Sequence, residues 1–337
     1  MDQVALDIDQ DLARAAAAFA VAIPPTRADL IDPTDPNDPI ARQFSPDARE
    51  LIRLSAESGD PIGDGPHSPT KGLVHRYPDR ALLKVVGACP VYCRFCFRRE
   101  MVGPTGTDTA PLSLDELEQA FAYLEAQSGI WEVILSGGDP LILAPRRLAA
   151  IVERLNAIPH LGVLRLHSRV PLVDPDRISD ELLAALKGRL PVYLLLHANH
   201  AREFSEAGKA ALRRLAEAGV PMLGQSVLLR GVNDDPAALT DLFRRMVENR
   251  VKPHYLHHGD LAPGTSHFRT TLAEGQALMR GLRGTVSGLC QPSYMLDIPG
   301  GHGKVPVGPN WLEATGEREW RVSDPSGLSH RYRDETA

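Results

Sequence analysis

The sequence predicts an α/β fold in which parallel strands alternate with helices to form a partial (β/α)6 barrel. Three observations carry this expectation. From residue 81 onward, apolar runs of strand length recur, each followed by a stretch with helical periodicity. Polar and ionisable residues collect just after those runs. Three of the chain's four cysteines, Cys89, Cys93 and Cys96, fall in the loop after the first run.

In chain order, Met1-Asp2-Gln3-Val4 opens an acidic N-terminus where a signal peptide needs positive charge. The Ala-rich stretch 12–23 is too short to span a bilayer and reads as an amphipathic helix. Residues 32–69, dense in Pro and Asp, read as a linker that wraps the main body, with a short helical stretch near 46–57. Strands are expected at 81–86, 131–135, 163–166, 191–196, 221–228 and 253–257, and helices at 113–126, 146–157, 180–187, 204–218 and 237–249. One apolar strand per repeat indicates a parallel sheet covered by helices. A doubly wound sheet fits the same pattern. The strand ends favour the barrel: Cys89, Ser136-Gly137-Gly138-Asp139, His167-Ser168-Arg169, His197, Gln225-Ser226 and His257-His258-Gly259-Asp260 could line one mouth. Alternation along a strand could instead turn half of them into the core.

At 337 residues and 43% hydrophobic, the chain can bury a large core. A net charge of −6 gives no electrostatic footprint for nucleic acid, and no segment suits a membrane. Four cysteines in this length argue against a disulfide scaffold and point to a reducing, cytoplasmic compartment.

Thiolates spaced Cys-x3-Cys-x2-Cys are soft anionic ligands for iron–sulfur clusters or zinc. Three of them leave one iron of a 4Fe-4S cluster without a protein ligand, and an open iron can bind and activate a molecule. The competing reading is a structural zinc site with His75 as fourth ligand, although such sites usually pair two short Cys/His clusters. Ser136-Gly137-Gly138-Asp139-Pro140-Leu141 follows the second strand; its glycines allow close backbone approach to a ligand or make an ordinary turn, and Asp139 adds an acceptor. In Asp297-Ile298-Pro299-Gly300-Gly301-His302-Gly303-Lys304, small and rigid residues shape the backbone that presents a lone lysine. A lysine in a barrel mouth can form a Schiff base with pyridoxal 5′-phosphate (PLP); taken alone, a solvated lysine after a glycine loop is the better explanation of the stretch.

These motifs, in this order and spacing, resemble the lysine 2,3-aminomutase family of PLP-dependent radical S-adenosylmethionine (SAM) enzymes. The likeness runs through most of the chain, including Asp32-Pro33-Thr34-Asp35, Gly72-Leu73-Val74-His75-Arg76-Tyr77-Pro78-Asp79-Arg80, Gln225-Ser226-Val227-Leu228 and His267-Phe268-Arg269-Thr270. It implies a partial radical SAM barrel over residues 71–283, a helical and wrapping segment over 1–70, and a short PLP-lysine extension over 284–337. It implies that Cys89, Cys93 and Cys96 hold the cluster, that Phe95 flanks the adenine, and that Ser136, Gly137, Gly138 and Asp139 meet the methionine ammonium of SAM. His197 and Gln225 would lie beside SAM, Arg76, Tyr77 and Arg80 beside the PLP phosphate, and Lys304 would bind PLP covalently.

The same resemblance gives Arg98 to the substrate's α-carboxylate and Asp260 and Asp297 to its ε-ammonium, which makes L-lysine the expected substrate and β-lysine the product. A guanidinium fork suits a carboxylate, and burying an alkylammonium needs compensating negative charge. Read alone, the two aspartates are ordinary loop acids and Arg98 an offset to an anionic loop. A relative acting on glutamate is expected to lack the acidic pair. Two alternatives accompany this reading: the same chemistry serving modification of elongation factor P, and a 2,3-aminomutase acting on another amino acid. An external electron donor such as flavodoxin or ferredoxin is implied. The stretch after Lys304 lacks the cysteines through which longer members bind zinc and join subunits, so a homodimer rather than that tetramer is the assembly left open.

Overall fold

The computed structural model describes residues 8–103 and 109–335. Nine strands form one sheet in chain order: β1 (Leu73–Tyr77), β2 (Arg80–Val86), β3 (Glu132–Gly137), β4 (Val163–Ser168), β5 (Val192–His197), β6 (Met222–Val227), β7 (Val251–His257), β8 (Ser293–Asp297) and β9 (Lys304–Pro306). Neighbours from β2 to β8 pair in parallel, and β1 and β9 add antiparallel at the two ends. Strand order never reverses, which excludes the doubly wound alternative, whose sheet turns back at a switch point. The two ends do not pair with each other, so the barrel is partial. The six expected strands are β2 to β7. Strand β8 was not anticipated: it is short and leads into a glycine loop instead of a helix.

The covering helices follow their apolar periods. Leu114–Ala126 is closed at its start by a Ser113/Glu116 capping box and buries Leu117, Ala120, Phe121 and Leu124. Pro145–Asn156 buries Leu148, Ile151, Val152 and Leu155, and Pro236–Glu248 buries Leu239, Leu242, Phe243 and Met246 behind an Asp235 cap. These stripes pack on the outward residues of the strands, such as Val133 and Leu135, Leu164 and Leu166, and Leu194 and Leu196, in one continuous core. Inward residues of the same strands are left to form a cavity.

The N-terminal helix spans Ile8–Ala18 rather than 12–23. Pro24 and Pro25 bias the residues before them toward extended backbone, and the next helical turn starts only at Pro25–Ala28. In the wrapping segment, the helical stretch expected at 46–57 is a single 3-10 turn, Ala48–Leu51, with Glu50 turned inward. Glu50 accepts Arg94 Nε at 2.8 Å and also pairs with Arg99, which ties the segment to the cysteine loop. Asp38 takes Arg202 Nη1 at 2.6 Å. Beyond β9, β10 (Leu312–Gly316), β11 (Glu319–Ser323) and β12 (Ser329–Arg333) form a separate, largely exposed antiparallel sheet. Among the described residues, no helix is long and apolar enough to cross a membrane.

One buried charge network holds the wrap to the barrel. Glu203 is fully buried and accepts from Arg169 Nη1 at 2.8 Å and from the Asn199 and His200 amides at 2.7 and 3.0 Å, while Arg27 Nη2 donates to its backbone carbonyl at 2.9 Å. Removing one member leaves the others charged and unpaired in the interior. Glu203→Ala is therefore expected to cost about 3–5 kcal/mol, read as a lowered denaturant midpoint at unchanged slope.

Candidate active site

The inward residues enclose a cavity of about 380 Å³. It is walled by Ile134 and Ser136 of β3, Arg165 and His167 of β4, Leu195 and His197 of β5, Gln225 and Val227 of β6, and Tyr255 and His257 of β7. The two-residue period of a strand thus assigns sides to the polar strand ends. His167, His197, Gln225 and His257 face the cavity. Ser168 and Ser226 face away and spend their hydroxyls on Asp139 and the Ala198 carbonyl.

Cys89, Cys93 and Cys96 are free and half-buried, and together line a hollow of about 40 Å³ between the loop and Phe19. Burial raises all three thiols, Cys93 to about 12, against the pull of the buried Arg169 guanidinium. Thiols that burial keeps protonated need a cationic centre to become ligands, and three of them around one hollow fit a cubane cluster. The zinc arrangement is not formed. His75 Nδ1 is bonded to Tyr123 Oη at 2.9 Å, and among the described residues no three His, Cys, Asp or Glu side chains converge on a single ion.

The Ser-Gly-Gly-Asp turn supports that loop from below. Gly137 has φ +115°, and a Cβ on Gly138 would lie 2.0 Å from the Ala88 carbonyl oxygen, so glycine is needed for β3 to reach the base of the cysteine loop. Asp139 is not at the rim as a free acceptor. It is buried and takes Ser168 Oγ at 2.8 Å, the Arg169 amide at 2.7 Å and the Leu141 amide at 3.1 Å, joining the turns after β3 and β4. Phe95 lies outside the cavity wall, edge-on to Phe268 with ring centroids 6.1 Å apart.

Lys304 starts β9 at the cavity's far side. Its amide donates to Tyr77 Oη at 2.8 Å, and its ammonium donates to both Asp297 oxygens at 2.7 and 2.6 Å. Arg76, Tyr77 and Arg80 line the same wall from the β1–β2 hairpin. Arg80 lies over the Tyr77 ring at 3.8 Å and pairs with Asp79, whereas Arg76 keeps a buried Nε–H with no partner. Arg98 reaches the cavity from the cysteine loop, pairs with Asp64 at 3.2 Å, and also has an unpartnered buried Nε–H. Three arginines and a tyrosine on one wall with a lysine amine fit a phosphorylated aldehyde cofactor. His197 is neutral, since burial and then Arg169 drive it down to about 3, and its buried Nε2 has no partner.

Asp260 and Asp297 complete the wall. Burial, reinforced by the charge of Asp297, pushes Asp260 up to about 7 despite Lys304 and Arg98. Burial also acts to raise Asp297, but the His257 hydrogen bond and the Lys304 ammonium outweigh it and hold the carboxyl at about 2. An ammonium bound against Asp260 would need the carboxyl ionised, so such binding would release a proton below pH 7. Affinity for an amino-acid ammonium is expected to fall by up to about tenfold per pH unit below 7 and to level off above it, checked by calorimetry in buffers of different ionisation enthalpy. The sign for stability is opposite: the folded empty site holds this proton more tightly than the unfolded chain, so Asp260 costs stability as pH rises from the ordinary carboxylate range through 7.

Several site residues carried no assigned role in the sequence. His167 and His257 are visible there only as polar strand ends, yet both wall the cavity, and His257 Nδ1 lies 3.4 Å from Asp297. Asp64 sits in the stretch that reads as a linker, with no pattern to mark it, and it joins Arg76 to Arg98.

Comparison with known proteins bears on this geometry. The radical SAM superfamily model matches residues 83–243, and the lysine-2,3-aminomutase model matches residues 279–333. The chain is 42% identical to an L-lysine 2,3-aminomutase of Clostridium subterminale over 90% of this chain and 72% of that one. It is 38% identical to an L-lysine 2,3-aminomutase of Methanococcus maripaludis, over 96% and 74% of the two chains. A glutamate 2,3-aminomutase of Clostridioides difficile is 37% identical over 95% and 75%. With the three thiols on their loop and the lysine at the cavity wall, these matches show that the chain belongs to the lysine 2,3-aminomutase family of radical SAM enzymes.

Proposed function

We propose that this isomerase converts L-lysine to β-lysine by moving the amino group from C2 to C3. The observation that carries the choice of substrate is the pair Asp260 and Asp297 in one cavity with Arg98. L-Lysine 2,3-aminomutases at up to 42% identity support lysine over the substrate of the 37% identical glutamate enzyme, and the acidic pair agrees with them. A glutamate side chain would bring a second carboxylate against two buried acids. A lysine side chain brings the ammonium that they need.

Family membership brings three cofactors: a 4Fe-4S cluster, SAM and PLP. When bound, the cluster and SAM supply the radical, and PLP supplies the conjugated system across which nitrogen moves. Cys89, Cys93 and Cys96 would hold three irons and leave the fourth to SAM, with His197 and Gln225 beside it. Arg76, Tyr77 and Arg80 would take the phosphate through charge-assisted hydrogen bonds. Lys304 Nζ, which pairs with Asp297 in the empty site, would hold the cofactor, and Asp260 and Asp297 would take the ε-ammonium of L-lysine. Arg98 would fix the other end of the amino acid, and the cavity walls would limit the access of water to the reacting centre.

The cysteines, all four free, suit the reducing cytoplasm, with flavodoxin or ferredoxin as electron source. Anaerobically reconstituted protein, given L-lysine, L-ornithine or L-glutamate, should turn over lysine with the highest kcat/KM. Preference for glutamate would overturn the assignment.

A further inference from the structure

The turn at residues 60–67 leaves the wrapping segment and enters the cavity wall. Gly63 adopts φ +67°, and a Cβ there would stand 2.4 Å from the Gly301 amide nitrogen, so this turn lies directly on the glycine loop that presents Lys304. Asp60 fixes the turn by accepting the Asp64 and Gly65 amides, each at 2.8 Å. Asp64 is buried at 5% exposure and points its carboxylate between two arginines. Oδ1 takes Arg76 Nη2 at 2.9 Å, and Oδ2 takes Arg98 Nη2 at 3.2 Å.

A carboxylate shared by two guanidiniums is a common structural device, but here the triad is not saturated. Arg76 and Arg98 each spend one Nη2 on Asp64, Arg98 Nη1 makes only a 3.5 Å contact with Ser136 Oγ, and both side chains line the cavity. Without Asp64, the two cations would face each other unneutralised and free to turn away from the cavity. With it, each is held at one end of its fork while the other donors remain for an anion. Burial opposes the charge on Asp64, but Arg98, Lys84 and Arg76 keep its carboxyl below the usual range.

We propose that Asp64 is a positioning residue that clamps Arg76 and Arg98 into a preset pair of anion receptors, one for the cofactor phosphate and one for the substrate carboxylate. The inference rests on the roles proposed above for these two arginines. Asp64 touches neither reacting atoms nor cofactor in this scheme. Because one side chain holds both receptors, its loss should weaken phosphate and carboxylate recognition together.

The test compares wild type, Asp64→Asn and Asp64→Glu, each reconstituted with iron and sulfide. Spectral titration with PLP and with pyridoxal, which lacks the phosphate, gives the affinity due to the phosphate. Asp64→Asn should bind PLP about tenfold or more weakly, the scale of losing a charge-assisted hydrogen bond, and pyridoxal equally well. KM for L-lysine should rise by a similar factor with kcat little changed, and Asp64→Glu should recover most of both. Equal weakening of PLP and pyridoxal, unchanged PLP affinity, or failure of Asp64→Glu to recover would overturn the proposal. Wild type that binds PLP over pyridoxal but ignores L-lysine would refute the lysine reading, and the titrations would still decide the role of Asp64.

Discussion

Lys304→Ala protein is expected to bind its cluster and cleave SAM while losing turnover of L-lysine by on the order of 10⁴-fold or more, the scale seen when a covalent nucleophile is removed. The reason is positional. Among the described residues no other lysine lines the cavity, and Lys304 is held by two contacts: its amide on Tyr77 Oη and its ammonium on Asp297. PLP absorbance that is stable to dialysis should vanish with the side chain. The fold should not, since the lysine is partly exposed and packs no core. Retained turnover in Lys304→Ala would mean that another amine carries the cofactor and that the β9 loop has been misread.

Substituting the acids should nearly silence the enzyme toward lysine by a different route. Truncating one partner of a buried, hydrogen-bonded charge pair costs about 2–5 kcal/mol, or about 30- to 5000-fold in kcat/KM. Asp260→Ala is the cleaner variant, because Asp297 also pairs with Lys304 and lies 3.4 Å from His257. The loss should fall mainly on KM, with cluster content and PLP binding intact in Asp260→Ala. Activity within threefold of wild type would remove the basis for preferring lysine to an uncharged amino acid.

The same two residues show what a sequence can and cannot reveal. The first five β/α units announce themselves, since helices such as Leu114–Ala126 carry both a capping box and an apolar stripe, whereas the helix Leu272–Leu282 after β7 is not among those expected. The thiols are legible because their spacing is unusual, whereas Lys304 takes its role from resemblance. Asp260 and Asp297 acquire meaning only through resemblance, because an acid in a loop looks the same whether solvated or walled in. Asp139 shows the opposite failure: a polar residue beside two glycines suggests a ligand, yet its oxygens are consumed by the next turn. Asp64 was hidden because its partners, Arg76 and Arg98, are brought to it by packing of the wrapping segment, which no local pattern encodes. The N-terminal helix was misplaced for a simpler reason: composition favoured helix through residue 23, while the prolines after it did not.

The most direct test of the central claim is an anaerobic incubation of protein with a verified cluster, PLP, SAM, a reductant and L-lysine, followed by chiral chromatography with mass detection. The account predicts β-lysine, formed in many turnovers for each 5′-deoxyadenosine released. Absence of both β-lysine and 5′-deoxyadenosine would contradict it, and 5′-deoxyadenosine without β-lysine would show that the radical chemistry acts on a substrate other than lysine.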